Sequence, residues 1–298
     1  MKKTIFEGAA TALVTPFNND YTVDYGALGA LVDWQIKEGI NGLVVCGTTG
    51  EASTLTDEEH REVISYVVKR ANGRVPVIAG TGSNDTEYAV DLTRHACDAG
   101  ADAVLCVTPY YNKSTQAGLI KMFEYIADKS AAPVILYNVP SRTGVNIEPT
   151  TYKALAEHDN IVAIKEANGN ISKIVETMSY VSGKLDLYCG NDDQIVPLMS
   201  LGGKGVISVL SNILPAKTVE MCRKFLSGDV KGSAQIQYDM HFIIDALFSE
   251  VNPIPVKAAV SAIGFGENVL RLPLTQMTEC KRQSMLDIME GLGLKVTR

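Results

Sequence analysis

The chain has 298 residues, of which 46% are hydrophobic and 20% are charged, and its formal net charge at pH 7 is −7. This length and composition are typical of a globular protein with a large core, either one big domain or a barrel with an appendage. An acidic chain without a basic run lacks the electrostatic surface that binds nucleic acid or an anionic membrane, so we expect neither as a partner.

Cysteine and histidine usage argues against a metal centre. The six cysteines form no CxxC pair, and the four histidines are isolated from one another without an HExxH pattern. We therefore expect no metal site and no disulfide framework. Glu7 interrupts the apolar stretch that follows Lys2 and Lys3, and no apolar run is long enough to span a bilayer. These features predict a cytoplasmic protein.

Short apolar runs recur at intervals of about 28 residues, and segments with helical periodicity separate them, which is the pattern of repeated βα units. Eight units in about 225 residues predict an α/β fold of the closed (β/α)8 type, the TIM barrel. The runs lie at residues 9–14, 42–46, 75–79, 103–107, 134–137, 161–164, 185–189 and 206–209. A doubly wound open sheet is the alternative, but no GxGxxG motif follows the first run.

Helix signals divide the chain further. Thr56 and Glu59 form the pattern of a capping box, and Asn84 or Asp85 begins the next helix. Beyond about residue 226 the βα pattern ends, and helices are predicted at residues 235–248, 255–263 and 275–292. The predicted organisation is a (β/α)8 catalytic barrel, residues 1–225, followed by a C-terminal helical appendage, residues 226–298.

The sixth run leads directly into Lys165 and Glu166. A run of four apolar, mostly β-branched residues predicts a strand that is buried on both faces. Lys165 then either leaves the sheet and meets solvent beside Glu166, or lies at a cleft. In a cleft, desolvation can lower the pKa of a lysine by up to about 3 to 5 units and make it an amine nucleophile for Schiff-base chemistry. The run by itself leaves both interpretations open.

Active sites of (β/α)8 barrels lie at the carboxyl ends of the strands, and polar residues follow several of the runs. The GTTGE sequence at 47–51 offers paired hydroxyls and glycine amides that suit a carboxylate, or it is a plain βα turn. Tyr137 ends the strand that precedes the Lys165 strand, so it could relay protons to the amine, or it could simply pack at the barrel end. The planar guanidinium of Arg142 suits a substrate carboxylate, although a surface ion pair is the usual role of a loop arginine.

Two more strand ends carry candidate residues. Tyr110 and Tyr111 follow the fourth strand, where tyrosines commonly serve packing. Gly190 follows the seventh strand and would allow a ligand to approach the backbone closely. Asp192 or Asp193 could cap the next helix.

Taken together, these motifs resemble those of the 4-hydroxy-tetrahydrodipicolinate synthase family, also called dihydrodipicolinate synthases. This family belongs to the class I pyruvate-aldolase superfamily, which includes N-acetylneuraminate lyase. The resemblance covers essentially the whole chain. It rests on GTTGE at 47–51, TPYYN at 108–112, YNVPSRTG at 137–144, the lysine of IKEA at 165, GNDD at 190–193, GVISV at 205–209 and NPIPVK at 252–257.

The resemblance implies a lyase that condenses pyruvate with L-aspartate 4-semialdehyde through a lysine Schiff base. The product is 4-hydroxy-tetrahydrodipicolinate, in the committed step of diaminopimelate and lysine biosynthesis. No cofactor is implied, because the protonated imine is itself the electron sink. The family is typically a homotetramer, a dimer of dimers. The resemblance implies that Lys165 forms the imine and that Tyr137, Thr48 and Tyr111 relay protons, with Tyr111 contributed by a neighbouring subunit. It implies that Thr48 and Thr49 bind the pyruvate carboxylate and that Arg142 binds the semialdehyde carboxylate. The backbones of Gly190 and Ile207 would complete the pocket.

Two alternatives remain beside this interpretation. A sister pyruvate aldolase that acts on a sugar acid, such as N-acetylneuraminate lyase or a 2-keto-3-deoxy sugar-acid aldolase, would share Lys165 and Tyr137. Such enzymes generally lack Arg142 and tend to show GSTGE in place of GTTGE, so Arg142 carries the discrimination. A non-enzymatic barrel that senses carboxylates would be expected to have lost Lys165 or Tyr137.

The resemblance also implies an effector site at a dimer interface in those members of the family that lysine inhibits. Asp57 stands where an aromatic group is expected, and Tyr88 stands where a glutamate would pair with the α-ammonium of the effector. Glu87 is one helical position away, a rotation of about 100°, so it should face elsewhere. We therefore predict weak or absent inhibition by lysine. The residues that do match the expected effector site are Ser53, His60, Asn84 and Tyr110.

Overall fold

The computed structural model describes residues 2–297. Within them, eight parallel strands close into a barrel in which β1 pairs with both β2 and β8. A helix follows each strand, so the predicted (β/α)8 fold is confirmed. The strands are β1 Gly8–Ala12, β2 Gly42–Val45, β3 Val77–Gly80, β4 Ala103–Val107, β5 Val134–Asn138, β6 Ile161–Glu166, β7 Asp186–Cys189 and β8 Gly205–Ser208.

Five of the nine barrel helices in residues 2–297 begin with a side chain that caps the first turn. Thr56 Oγ1 accepts a hydrogen bond from the Glu59 N–H, and the Glu59 carboxylate accepts one from the Thr56 N–H, so the predicted capping box is present. Asp85 caps the third helix by accepting from two backbone N–H groups. These helices are α1 Tyr25–Lys37, α2 Asp57–Ala71, α3 Thr86–Asp98, α4 Gln116–Lys129, α5 Pro140–Thr143, α6 Pro149–Leu155, α7 Ile171–Val181, α8 Ile195–Ser200 and α9 Pro215–Leu226.

The strands are buried on both faces, as a parallel barrel requires. Side chains such as Ile78, Ile135 and Tyr188 form a cluster inside the barrel, and the alternate residues of each strand pack outward against the helices. Tyr137 on β5 pairs in register with Lys165 on β6. This pairing places the phenol and the amine side by side at the carboxyl end of the barrel.

Four helices follow the barrel: α10 Val230–Asp239, α11 His241–Leu247, α12 Ile254–Ala262 and α13 Glu279–Gly291. The single helix predicted at 235–248 is wrong, because the chain bends at Met240, where ψ is −4° instead of the helical value near −42°. Ile236, Met240 and Ile244 are all buried, so the hydrophobic period runs through the bend and conceals it. The boundary at residue 225 between barrel and appendage stays a prediction.

The last predicted helix is also too long at its start. Residues 275–278 are not helical, and α13 begins only after Thr278, whose N–H group faces the carboxylate of Glu250. Met277 is buried in this non-helical stretch, and its apolar side chain extended the helical pattern by mistake. No helix in residues 2–297 is long and apolar enough to cross a membrane.

Candidate active site

Lys165 is buried at the end of β6, with 7% of its surface exposed. Its Nζ lies 4.2 Å from the ring centroid of Tyr137, within the range of a cation–π contact. No acidic oxygen of residues 2–297 lies within 4.0 Å of Nζ as an ion-pair partner. The structure therefore brings together the two residues that the sequence placed on neighbouring strands.

The loop after β2 presents Thr48 and Thr49 differently. Thr48 is exposed and lines the cavity described below, whereas Thr49 is buried. The Thr49 Oγ1 accepts a hydrogen bond of 3.0 Å from the side-chain amide of Asn252, in the C-terminal segment between α11 and α12. The sequence motif NPIPVK contained Asn252, but nothing in its pattern assigned this asparagine to the site.

Glu51 ends the same loop and connects it to the C-terminal segment, a role that was not predicted from the sequence. It has φ of 53°, a left-handed conformation that is uncommon outside glycine. Its carboxylate lies 2.6 Å from Nζ of Lys257, and both side chains are almost completely buried. The second carboxylate oxygen accepts from the backbone N–H of Arg271 at 3.2 Å. Two contacts from the C-terminal segment thus hold the loop in a conformation that costs free energy.

A cavity of about 400 Å³ opens at the carboxyl end of the barrel. Thr48, Tyr137 and Arg142 line one part of it, and Ser53, His60, Tyr88 and Tyr110 line another, so the predicted catalytic and effector residues share one space in this single chain. Six predicted site residues do not line it: Thr49, Asn84, Tyr111, Lys165, Gly190 and Ile207. Lys165 reaches the cavity wall through its contact with Tyr137.

Arg142 lies on α5 and is exposed. Its Nη2 donates a hydrogen bond of 3.2 Å to the backbone carbonyl of Asn252. Arg142 therefore has one contact to the C-terminal segment, and no carboxylate of residues 2–297 neutralises it within 4.0 Å. This arrangement leaves a free positive charge at the cavity, in contrast to the surface ion pair that is the usual role of a loop arginine.

Tyr111 is 93% exposed and does not line the cavity, whereas the adjacent Tyr110 does. Its backbone has φ of 69°, again in the left-handed region. Within one chain the structure therefore does not bring Tyr111 to Tyr137. The side-chain amide of Asn84 donates to the carbonyl of Tyr110 and holds this loop against the start of α3.

Packing within the barrel accounts for the residue types at positions 190 and 207. A Cβ atom at Gly190 would lie 2.8 Å from Cβ of Ala167 and 3.0 Å from the carbonyl oxygen of Glu166, so the close approach of β6 already requires glycine. The Gly190 N–H donates to that same carbonyl at 2.8 Å. Ile207 is 1% exposed and belongs to the cluster inside the barrel.

Asp192, which the sequence suggested only as a helix cap, is a buried carboxylate close to the site. Its Oδ2 accepts from the backbone N–H groups of Val209 and Leu210, at 2.8 and 2.9 Å, while Oδ1 has no hydrogen-bond partner. Burial raises the pKa of Asp192, and the hydrogen bonds from the N–H groups of Leu210 and Val209, together with the nearby charge of Lys165, oppose that rise. The structure thus places a partly satisfied carboxylate within electrostatic reach of the amine.

The predicted effector residues have partners of their own. His60 is buried, and its Nε2 lies 2.8 Å from the carbonyl of Gly80. Asp57 pairs with Arg61 at 2.9 Å, and hydrogen bonding to that arginine lowers the pKa of Asp57. Burial, helped by the neighbouring Asp57, raises the pKa of Tyr88 to about 12. Ser53 is exposed beside this group.

Glu87 turns away from this group, as the helical geometry predicted. Its carboxylate accepts a hydrogen bond from Tyr125 on α4, which raises the pKa of that phenol. Among residues 2–297, no group of three or more histidine, cysteine, aspartate or glutamate side chains is arranged to hold a metal ion.

A closed (β/α)8 barrel with a buried lysine and a tyrosine at the mouth has the parts of a class I aldolase, a lyase that activates a ketone as an imine. Comparison with known proteins narrows this class. The dihydrodipicolinate synthetase family model matches residues 5–292, and the chain belongs to that family.

The relatives match over nearly their whole length. The chain is 54% identical over 294 residues to a protein named 4-hydroxy-tetrahydrodipicolinate synthase from Acetivibrio thermocellus, covering 99% of this chain and 100% of the relative. The crystal structure of dihydrodipicolinate synthase from Aquifex aeolicus is 44% identical with a TM-score of 0.96, covering 98% of this chain and 100% of that one. A structure described as a monomeric dihydrodipicolinate synthase variant is 41% identical with a TM-score of 0.95, covering 97% and 98%.

Proposed function

We propose that this chain condenses pyruvate with L-aspartate 4-semialdehyde and forms 4-hydroxy-tetrahydrodipicolinate. Membership of the family supports the reaction, and the observation that carries it is the buried Lys165 amine 4.2 Å from the Tyr137 ring, without an acidic ion-pair partner among residues 2–297. The cytoplasmic location and the place in diaminopimelate and lysine biosynthesis are part of the same proposal.

The proposed reaction begins when the neutral Lys165 amine attacks the ketone carbon of pyruvate. Loss of water gives a protonated imine, and loss of a proton from the methyl group gives an enamine. The enamine carbon then bonds to the aldehyde carbon of the semialdehyde, whose oxygen takes up a proton. Finally the amine of the second substrate attacks the imine carbon, and Lys165 leaves as the free amine as the ring closes.

Proton transfer at the carbinolamine, enamine and alkoxide stages needs a hydroxyl group beside the amine. We assign this role to Tyr137, whose ring centroid lies 4.2 Å from the Lys165 Nζ, and to Thr48, because both residues line the same cavity. Tyr111 is 93% exposed on its own chain, so its proposed part in the relay requires a partner subunit that receives it. We therefore propose a homotetramer arranged as a dimer of dimers, in which each tight pair exchanges Tyr111.

The two substrate carboxylates need different sites. Thr48 and Thr49, with the amides of the GTTGE loop, are proposed to bind the pyruvate carboxylate, while backbone groups at Gly190 and Ile207 complete that pocket. Arg142 is proposed to bind the semialdehyde carboxylate, because its guanidinium lines the cavity with only a carbonyl contact. This free arginine favours the synthase over a sugar-acid aldolase.

Borohydride reduction in the presence of pyruvate tests the proposal. The reduced adduct should map to the peptide that contains Lys165, and the Lys165→Ala variant should show none, because no other amine forms the imine. The same wild-type preparation should consume L-aspartate 4-semialdehyde in the presence of pyruvate. An adduct on Lys257 or Lys113, or trapping without any condensation, would contradict the proposed reaction.

A further inference from the structure

Glu166 is a second buried ionisable group on β6, directly after Lys165. It is 2% exposed, and consecutive residues of a strand point to opposite faces. Lys165 lies with Tyr137 on one face of the strand, so Glu166 points outward, between the barrel and its helices. The register repeats this relation: Tyr137 pairs with Lys165, and Asn138 pairs with Glu166. At the ends of β5 and β6, the Tyr137–Lys165 pair therefore lies on the inner face of the barrel and the Asn138–Glu166 pair on the outer face.

The carboxylate of Glu166 connects three parts of the chain. It accepts hydrogen bonds of 2.9 and 3.2 Å from the side-chain amide of Asn138 on β5. It accepts a bond of 2.9 Å from the hydroxyl of Tyr152 on α6 and another of 2.9 Å from the N–H group of Asn168. β5, β6 and α6 therefore meet at one carboxyl group.

Asn138 extends this network to the residues that follow α5, the short helix that carries Arg142. Its amide donates to Asn146 Oδ1 at 2.9 Å, and its own Oδ1 accepts from the N–H of Ile147 at 3.1 Å. Both partners lie just after the short helix α5. Asn138 is 0% exposed, as is Tyr152, so water does not replace these bonds.

A stabilising role alone accounts poorly for this carboxylate. Burial raises the pKa of Glu166 to about 7, and hydrogen bonds from Tyr152, Asn168 and Asn138 oppose the rise. Apolar residues of similar volume often replace buried charged groups without loss of stability. A carboxylate differs from an apolar side chain because its two oxygens accept several hydrogen bonds and so fix the orientation of the donor groups.

We propose that Glu166 is a positioning residue, whose contacts with Asn138 and Tyr152 fix the distance between Lys165 and Tyr137 from outside the barrel. This inference rests on the proposed imine chemistry of Lys165. Attack on a ketone depends steeply on the placement of the reacting groups, and a displacement near 1 Å can lower a rate by about a hundredfold. Weakening the contacts of Glu166 with Asn138 and Tyr152 should therefore slow imine formation at Lys165.

Removal of the Tyr152 hydroxyl is the sharpest test. Tyr152→Phe deletes one donor to Glu166 and keeps the ring, and Glu166→Gln replaces the carboxylate by a group of the same shape. Both variants should slow borohydride trapping of pyruvate at Lys165 by about tenfold to a hundredfold. The kcat should fall in parallel, while the KM for the semialdehyde stays unchanged.

Tyr66→Phe is the matched control. The Tyr66 hydroxyl donates one bond of 2.6 Å to the carbonyl of Tyr25, between α2 and α1, so its loss also removes one hydrogen bond from a tyrosine. This variant should trap pyruvate like the wild type, even where its Tm falls as far as that of Tyr152→Phe. If Glu166→Gln does not fold, Tyr152→Phe alone decides.

The outcomes separate this inference from the proposed function. Trapping rates in Tyr152→Phe equal to those of wild type and Tyr66→Phe would overturn the positioning role of Glu166, since the wild-type adduct at Lys165 would still be present. A wild type that gives no adduct at Lys165 would overturn the proposed function and, with it, this inference.

Discussion

Lys165 and Lys257 are both buried lysines, but their surroundings differ. Lys165 is 7% exposed, its Nζ lies over the ring of Tyr137, and it has no acidic ion-pair partner among residues 2–297. Lys257 is 3% exposed, its Nζ lies 2.6 Å from Glu51 and 3.9 Å from the ring centroid of Phe17. The Lys165 amine thus lies beside Tyr137, which lines the cavity, whereas the Lys257 amine is enclosed by Glu51 and Phe17.

The comparison shows that a lowered pKa does not by itself identify a nucleophile. Burial lowers the pKa of Lys257 to about 8, even though the Glu51 carboxylate opposes the change. Its amine would therefore lose its proton readily, yet Glu51 and Phe17 occupy the space that a substrate would need. We infer that Lys257 holds the GTTGE loop and that access separates the two lysines.

The largest expected difference is between substitutions of these two residues by methionine. Lys165→Met should abolish pyruvate trapping without loss of stability, because it removes a buried amine that has no ion pair. Lys257→Met should lower the free energy of unfolding by about 3 to 5 kcal/mol, because Glu51 would remain buried without its counter-ion. Denaturant titration and borohydride trapping measure the two effects separately.

A double variant controls for the buried charge in this comparison. Glu51→Gln combined with Lys257→Met removes both charges, so it should recover part of the stability lost in Lys257→Met alone. A Lys257→Met protein as stable as the wild type would show that the ion pair contributes nothing and would remove the contrast between the lysines.

The pH dependence of stability provides a smaller effect of known sign. The folded-state pKa of Lys257 is about 8 and the unfolded value is 10.5, so the unfolded chain binds more protons between these values. The stability of the wild type relative to the double variant should therefore rise from about pH 8 to pH 10.5 and be lost as the pH falls through 8. Thermal unfolding at a series of pH values measures this slope.

Lys204 is the matched control, because its ion pair lies at the surface. Its Nζ contacts Glu7 at 2.8 Å, and that hydrogen bond raises the pKa of Lys204. Its contribution is therefore present below about pH 10.5 and lost as the pH rises through the folded-state pKa, which is the opposite direction. Wild type compared with Lys204→Met should keep a constant stability difference between pH 8 and 10.5, where the Lys257 comparison gains stability, and should lose stability only above about pH 10.5. A Lys257 comparison that is flat between pH 8 and 10.5, like the Lys204 comparison, would contradict the lowered pKa of Lys257.

The sequence predicted the features that repeat or that carry a motif. Eight apolar runs predicted the barrel, and the order of the strands placed Tyr137 beside Lys165 because neighbouring parallel strands end at the same edge. Thr56 and Glu59 predicted a helix start because both hydrogen bonds of a capping box are local.

The contacts that the sequence did not predict are distant in the chain. Glu51 and Lys257 are 206 residues apart, and Thr49 and Asn252 are 203 residues apart. A glutamate that ends a turn and a lysine in a helix resemble surface residues until the fold buries them against each other. The bend at Met240 was missed for another reason, because burial on both sides of it preserves the helical period.

The carboxylate of Asp57, near the predicted effector residues, already has an ion-pair partner, as the amine of Lys257 does. It is paired with Arg61 at 2.9 Å. The residues of the described chain that line the cavity beside it include no aspartate and no glutamate, and Tyr88 occupies the position where an acidic partner was expected. The carboxylate of Glu87 faces Tyr125 instead.

The smallest expected effect is therefore the response to lysine. Its α-ammonium would enter the cavity without a free carboxylate, and the desolvation cost of an unpaired charge would oppose binding. We expect weak or absent inhibition, measured by calorimetric titration with lysine alongside initial rates. Tyr88→Glu should increase the affinity for lysine, because it supplies the missing charge at the cavity wall. Inhibition of the wild type at micromolar lysine would contradict this expectation and would show that Asp57 or Glu87 pairs with the ammonium after all.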